Sequence, residues 1–183
     1  MITLVTGGAR SGKSGYAEQL ATRSSLQVAY IATAHAGDAE MAARIERHRA
    51  QRPCGWLTVE EPLALGAALR AQSRADRCIV IDCLTLCLTN LILADHPEQC
   101  DVGSIDAGPR CSTERTDFLD ALRMAPGEII VVSNEVGMGV VPSGALNRCF
   151  VDEAGRLNQA VAACAERVVW MAAGCPVYAK GSA

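Results

Sequence analysis

Eight residues, Gly7-Gly8-Ala9-Arg10-Ser11-Gly12-Lys13-Ser14, have the spacing G-x-x-x-x-G-K-S. They lie between the apolar run Met1-Ile2-Thr3-Leu4-Val5-Thr6 and a helix-compatible stretch. In that context backbone N–H groups converge on phosphate oxygens at a helix N-terminus, a lysine reaches the terminal phosphates and a hydroxyl is offered to Mg²⁺. The chemistry implied is binding of a nucleoside triphosphate. Lys13 and Lys180 are the only lysines, against fifteen arginines, so lysine stands in this loop although the chain otherwise avoids it.

Two acids are candidates to complete the site. The run Cys78-Ile79-Val80-Ile81-Asp82 reads as a strand ending in a carboxylate, the usual source of the group that reaches Mg²⁺ beside the loop hydroxyl. Asp82 could instead cap the helix that follows. Ser133-Asn134-Glu135 ends another strand, where open α/β sheets bind ligands. There Glu135 could touch metal or substrate, or cap its own turn.

A third constellation is the segment from Asp38 to Arg52. At helical spacing Met41, Ile45, His48 and Arg52 share one stripe, with Arg44, Arg47 and Arg49 around it. Cations within one turn favour a neutral imidazole, the form able to attack phosphorus, and the same guanidinium groups suit phosphate oxygens. A solvated helix histidine fits the same pattern. His35 and His96 lie in loop-like contexts and carry no such implication.

These groups need a scaffold, and the pattern supplies one. Short apolar runs at Ile2–Thr6, Val28–Ala32, Leu57–Val59, Cys78–Asp82, Ile129–Ser133, Val168–Met171 and Val177–Tyr178 read as strands. Helix-compatible stretches at Lys13–Arg23, Asp38–Arg52, Pro62–Arg74, Leu84–Ala94, Thr113–Met124 and Asp152–Ala165 alternate with most of them. Such alternation predicts an α/β fold with a mostly parallel sheet covered by helices on both faces. The last two strands are too close for a crossover helix and predict an antiparallel edge hairpin. The stretch His96–Ser112 has no periodicity and reads as a surface loop. With 183 residues the chain reads as a single domain spanning 1–183.

Composition narrows the function. A net charge of −3 gives no broad basic surface for nucleic acid. Nine cysteines with no C-x-x-C pair speak against disulfide frameworks and zinc sites, and for buried apolar thiols. No apolar run approaches the length of a membrane span, and no leader is visible, so the expectation is a cytoplasmic protein with no membrane span.

Several segments together resemble one family. They are Val5–Ser14, Tyr30-Ile31-Ala32-Thr33-Ala34, Met41–Arg49 leading to Arg52-Pro53, Trp56–Pro62, Asp82-Cys83-Leu84-Thr85 and Thr89-Asn90-Leu91. Ser133-Asn134-Glu135-Val136-Gly137-Met138-Gly139-Val140-Val141-Pro142, then Arg148, Phe150, Asp152, Gly155 and Leu157-Asn158-Gln159, complete the set. The chain resembles the bifunctional adenosylcobinamide kinase / adenosylcobinamide-phosphate guanylyltransferase family of cobalamin biosynthesis over nearly its whole length. The resemblance implies a P-loop, recombinase-like fold and two reactions. One phosphorylates adenosylcobinamide with a nucleoside triphosphate, ATP or GTP; the other transfers GMP from GTP to adenosylcobinamide phosphate through a GMP–histidine intermediate. The family pattern Arg-Ile-x-x-His-Arg places that intermediate on His48, and Arg47 stands where some members have a second histidine. It also places nucleotide contacts on Gly7, Gly8, Ala9, Arg10, Ser11, Gly12, Lys13, Ser14, Thr33, Ala34, Arg49, Arg52, Glu60 and Asp82, with Lys13 catalytic, Ser14 and Asp82 on Mg²⁺, and a homotrimeric assembly. Two other classes fit the triphosphate loop alone: a small-molecule kinase with no covalent nucleotide, and a nucleotide-hydrolysing regulatory switch.

Overall fold

The computed structural model describes residues 1–37, 39–98 and 103–182, with only the backbone of Glu40, Met41, Arg44 and Gln51. In chain order the elements are β1 (Ile2–Gly7), α1 (Lys13–Arg23), β2 (Gln27–Ala32), α2 (Ala39–Gln51), β3 (Leu57–Glu60), α3 (Leu65–Gln72), β4 (Arg77–Asp82), α4 (Leu84–Asp95), α5 (Pro109–Met124), β5 (Glu128–Val132), α6 (Ala145–Cys164), β6 (Arg167–Ala172) and β7 (Cys175–Lys180). The strands form one sheet in the order β3-β2-β4-β5-β1-β6-β7. All pairings are parallel except β6 with β7. The expected edge hairpin is there, closed by Ala173 and Gly174, both at positive φ, as its tight turn requires.

Strand residues alternate between two cores because successive side chains leave opposite faces. Leu4, Ile31, Ile79, Ile81, Ile129 and Val131 face a large cluster built with residues of α3, α4, α5 and α6. Val5, Tyr30, Val80, Ile130, Val132 and Met171 face a smaller one under α1. The hairpin is tied to that second layer by a 2.7 Å hydrogen bond between the hydroxyls of Tyr16 and Tyr178.

Three helix starts differ from the sequence expectation. Helix α6 begins at Ala145 rather than Asp152; Asp152 is an exposed residue inside it, and buried Cys149 extends the apolar stripe of Ala154, Leu157 and Val161 backwards. Helix α5 begins at Pro109, so the last residues of the expected loop His96–Ser112 are helical. Proline there occupies the first turn, where its missing N–H costs nothing. The turn is capped from outside: Asp95 accepts the N–H groups of Arg110 and Cys111 at 3.0 and 3.2 Å. Helix α3 starts at Leu65, not Pro62, because the Glu61 carboxylate takes the N–H groups of Leu63 and Ala64 in a preceding turn. The expected start of α2 at Asp38 lies outside the described residues.

Candidate functional site

Strand register builds the site. Val5 pairs with Val132, Val132 with Asp82, Asp82 with Ala32, and Ala32 with Glu60. Because these strands run parallel, the residues that follow them emerge on one carboxyl rim: Gly7 to Ser14, Ser133, Cys83, Thr33 and Ala34, and Glu61. This is where open α/β sheets hold ligands. Strand β5 lies between β1 and β4, which separates the loop strand from the Asp82 strand by two strand spacings, about 10 Å.

The loop Gly7–Ser14 joins β1 to α1. Gly7 has φ 147°, and a Cβ on it would sit 2.5 Å from the Met171 carbonyl oxygen; only glycine lets the chain leave the sheet there. Gly12, at φ 95°, is the N-cap of α1 and supplies no side chain to its free N–H groups, leaving them for an anion. Lys13 is buried, and its ammonium donates to the Gly8 carbonyl at 2.5 Å and to Ser11 Oγ at 3.4 Å. Burial lowers its pKa, against the pull of the Cys83 and Asp82 side chains.

Asp82 does not cap α4, whose N-cap is Cys83 without a side-chain hydrogen bond. Its Oδ2 instead accepts the Tyr30 hydroxyl at 2.5 Å. Burial, then the Asp82 charge, push the Tyr30 phenol far above its ordinary range, so it remains a donor throughout the neutral range. The Tyr30 ring stacks with Trp56 at 6.4 Å, and the Arg52 guanidinium lies 3.8 Å from its centroid, a cation–π contact. Arg52 Nε is buried without a partner among the described residues. Thr33, fully buried, brackets Cys83 by accepting its N–H at 2.9 Å and donating to its carbonyl at 2.7 Å.

Helix α2 meets this rim at its C-terminal end. Arg49 pairs with Glu46 at 2.8 Å and with Glu60. His48 is half-buried, one turn before the helix ends. The side chains of Met41 and Arg44, part of the expected stripe, lie outside the described residues. Arg49, one of the cations expected around the histidine, is engaged by two carboxylates. Of the two adjacent glutamates, Glu61 is spent on the turn before α3, whereas Glu60 points to α2. Glu135 caps its own turn through Gly137 N–H at 2.7 Å, the plainer of its two readings. The groove of about 410 Å³ between α5 and α6, lined by Arg115, Thr116, Leu119, Arg123, Arg156 and Ala160, is on the helical layer and not on this rim.

Tyr30 is the candidate site residue that motif reasoning passed over, although its segment was in view. The signal was available: a phenol inside an otherwise aliphatic buried strand must find a partner for its hydroxyl, in a chain with only three tyrosines.

A family model described as cobinamide kinase / cobinamide phosphate guanyltransferase matches residues 3–179. The bifunctional adenosylcobalamin biosynthesis protein CobP of Pseudomonas aeruginosa is 54% identical over 181 residues, covering 99% of this chain and 98% of that one. The bifunctional adenosylcobalamin biosynthesis protein CobU of Salmonella typhimurium is 41% identical over 184 residues, covering 98% of this chain and all of its own length. Among solved structures, an ATPase from the type III secretion system of pathogenic bacteria superposes with a TM-score of 0.56 at 12% identity, over 92% of this chain and 50% of that one. The ATPase EscN of enteropathogenic Escherichia coli gives 0.52 at 13% identity, over 94% and 43%. Each structural likeness concerns the fold alone, an α/β fold with a mostly parallel sheet.

Proposed function

We propose that this chain, which belongs to the cobinamide kinase / cobinamide phosphate guanyltransferase family, runs both of the family's reactions at one triphosphate site on the carboxyl rim. The observation that carries this is the chain of contacts Asp82–Tyr30–Arg52, which ties the end of the His48 helix to the carboxylate facing the phosphate loop.

For the kinase reaction, backbone N–H groups of Gly7, Gly8, Ala9, Arg10, Ser11 and Gly12 hold the β- and γ-phosphates of ATP or GTP. Lys13 leaves the Gly8 carbonyl for the terminal phosphate and stabilises the charge spread over its oxygens. The acceptor hydroxyl of adenosylcobinamide attacks the γ-phosphorus, the bond to the β-bridging oxygen breaks, and the nucleoside diphosphate leaves. Ser14 and Asp82 would hold Mg²⁺. The donor set fits: Tyr30 takes one carboxylate oxygen and leaves the other, and no cluster of three or more His, Cys, Asp or Glu occurs among the described residues. An ion completed by phosphate oxygens and water is the arrangement Mg²⁺ favours. Bound there, it neutralises charge on the phosphate oxygens.

For the guanylyl reaction, a ring nitrogen of His48 attacks the α-phosphorus of GTP, an N–P bond forms, and pyrophosphate leaves. The phosphate oxygen of adenosylcobinamide phosphate then attacks the same phosphorus and the N–P bond breaks, releasing adenosylcobinamide-GDP and the histidine. Arg49, Arg52, Glu60, Thr33 and Ala34 contact the nucleotide. The buried, unpartnered Nε of Arg52 supports this, since a buried donor left without an acceptor is costly. Binding of GTP draws α2 toward the loop, to an attack distance of roughly 3–3.5 Å. The working assembly is a homotrimer in the cytoplasm, consistent with exposed apolar residues on edge strands, Leu57 on β3 and Val177 on β7, and with the absence, among the described residues, of a helix long and apolar enough to cross a membrane.

Incubation with GTP labelled at the α-phosphate tests the reading. Acid-labile label on the protein, lost in His48→Ala while γ-phosphoryl transfer to adenosylcobinamide persists, is the expected result. No retained label reduces the chain to a kinase.

A further inference from the structure

The connection from β5 to α6 contains no ionisable side chain between Val136 and Gly144. Met138, Val140 and Val141 on it are 79, 96 and 76% exposed. Such a run of bare aliphatics costs solubility unless something covers it. It is not a slack loop, because both ends are fastened. At the first, Glu135 N–H donates to the Gly7 carbonyl at 3.0 Å and the Glu135 carboxylate closes the turn on Gly137. Asn158 donates to the Asn134 carbonyl at 3.1 Å, and Asn134 to Thr85 Oγ1 at 2.7 Å. At the other, the Arg148 guanidinium donates to the carbonyls of Pro142 and Ser143, and to that of Gly103 on the neighbouring loop.

We infer that Gly137–Pro142 is a strap on which the corrin macrocycle of the acceptor rests while its arm reaches the phosphate loop. The inference rests on the kinase assignment above. The reacting hydroxyl has to lie in line with a phosphate held by Gly7–Ser14, and the macrocycle, many times larger than that phosphate, must extend outward over the rim. Glu135, two residues before the strap, is hydrogen-bonded to Gly7, so the first end of the strap is anchored beside the space the macrocycle enters. A corrin presents alkylated faces edged by uncharged amides. An aliphatic surface with no charge to desolvate is its complement, and two fastened ends hold that surface in place before binding.

The test is steady-state phosphorylation of adenosylcobinamide by Met138→Ser, Val140→Ser and Val141→Ser, with Arg148→Ala to release the far end of the strap. The KM for adenosylcobinamide rises about tenfold or more, the scale on which an apolar contact discriminates, while the KM for the nucleoside triphosphate holds. Sedimentation and melting temperature are measured on the same samples. An unchanged acceptor KM overturns the inference, as does a changed oligomeric mass with acceptor KM intact, which makes the strap a contact between copies of the chain. Absence of any phosphorylation by the unsubstituted protein overturns the kinase assignment instead.

Discussion

Replacing Tyr30 by phenylalanine separates the two jobs of this side chain. The hydroxyl bonds Asp82 on one side; the ring carries Arg52 and stacks on Trp56 on the other. Tyr30→Phe removes the first and keeps the second. A hydrogen bond to a charged acceptor contributes about 1.5–3 kcal/mol, and about 1.4 kcal/mol is a factor of ten in rate. Asp82 is half-buried, so water replaces part of the lost donor and the effect falls near the lower end, about tenfold. On the proposed role of Asp82 in both reactions, phosphoryl and guanylyl transfer slow together, and the Mg²⁺ concentration for half-maximal rate rises. Arg52→Ala is the complementary change: it removes a cation–π contact of about 0.5–2 kcal/mol from the α2 side and slows guanylyl transfer alone. Single-turnover assays with label at the γ- or the α-phosphate, each over a Mg²⁺ titration, measure all four rates. Refutation comes if Tyr30→Phe slows only guanylyl transfer, which places its action on α2, or if neither rate nor Mg²⁺ midpoint moves.

Two further outcomes concern stability. A Cβ on Gly66 would lie 2.9 Å from the Asp117 backbone and closer still to its carboxylate, where α3 crosses α5; Gly66→Ala should cost about 1–3 kcal/mol as overpacking, lowering the melting temperature by roughly 2–12 °C, and an unmoved calorimetric transition would show that the helices can part. Glu166 accepts the Ile2 N–H, which lowers its pKa from 4.5 against a burial penalty, with the N-terminus and Lys180 assisting; a depressed carboxylate stabilises the fold above its unfolded pKa and loses this as pH falls through the folded one. The side chain is exposed, so urea unfolding should find Glu166→Gln less stable at neutral pH by no more than about 1 kcal/mol, with the gap closing below pH 4.5; a gap that persists in acid assigns the effect to packing.

The sheet and the phosphate loop were legible because their signals are local. Seven apolar runs and a Gly-rich turn between a strand and a helix need no tertiary information, and α1 was placed to the residue. What could not be read was set by partners far along the chain. The start of α5 depends on Asp95 as a cap supplied by α4, and proline, which usually punctuates loops, was read as such. The N-cap of α6 is Gly144 and makes no side-chain hydrogen bond, and Ser143 before it is one position too early to mark the start. Lys13, Ser14 and Asp82 were readable as candidate site residues from spacing, whereas the contact of Tyr30 with Asp82 follows from the pairing of β2 with β4, which sets Ala32 beside Asp82. Of the two readings of Asp82, the helix cap gives way to a tertiary partner, Tyr30 on β2, and Arg49 reaches Glu60 on β3 as well as Glu46 on its own helix.

That same partnering bears on how one site reaches two phosphorus atoms. None of the described side chains of α2 is buried, while α1, α3, α4, α5 and α6 each bury several. Among the described residues, the helix carrying His48 is held at its C-terminal end, through Arg49 to Glu60 and Arg52 to Tyr30. The exposed Arg49–Glu60 ion pair contributes about 0–1 kcal/mol and the Arg52–Tyr30 cation–π contact about 0.5–2 kcal/mol, so these contacts hold the helix lightly. Lys13 is the opposite case, a buried residue in the first turn of α1, so only its ammonium moves when it leaves the Gly8 carbonyl. On the roles proposed above, the terminal phosphate is met by a side chain on a packed helix and the α-phosphate by one on a lightly held helix. Such a division lets the loop keep a single grip on the triphosphate while the position of α2 decides which bond breaks.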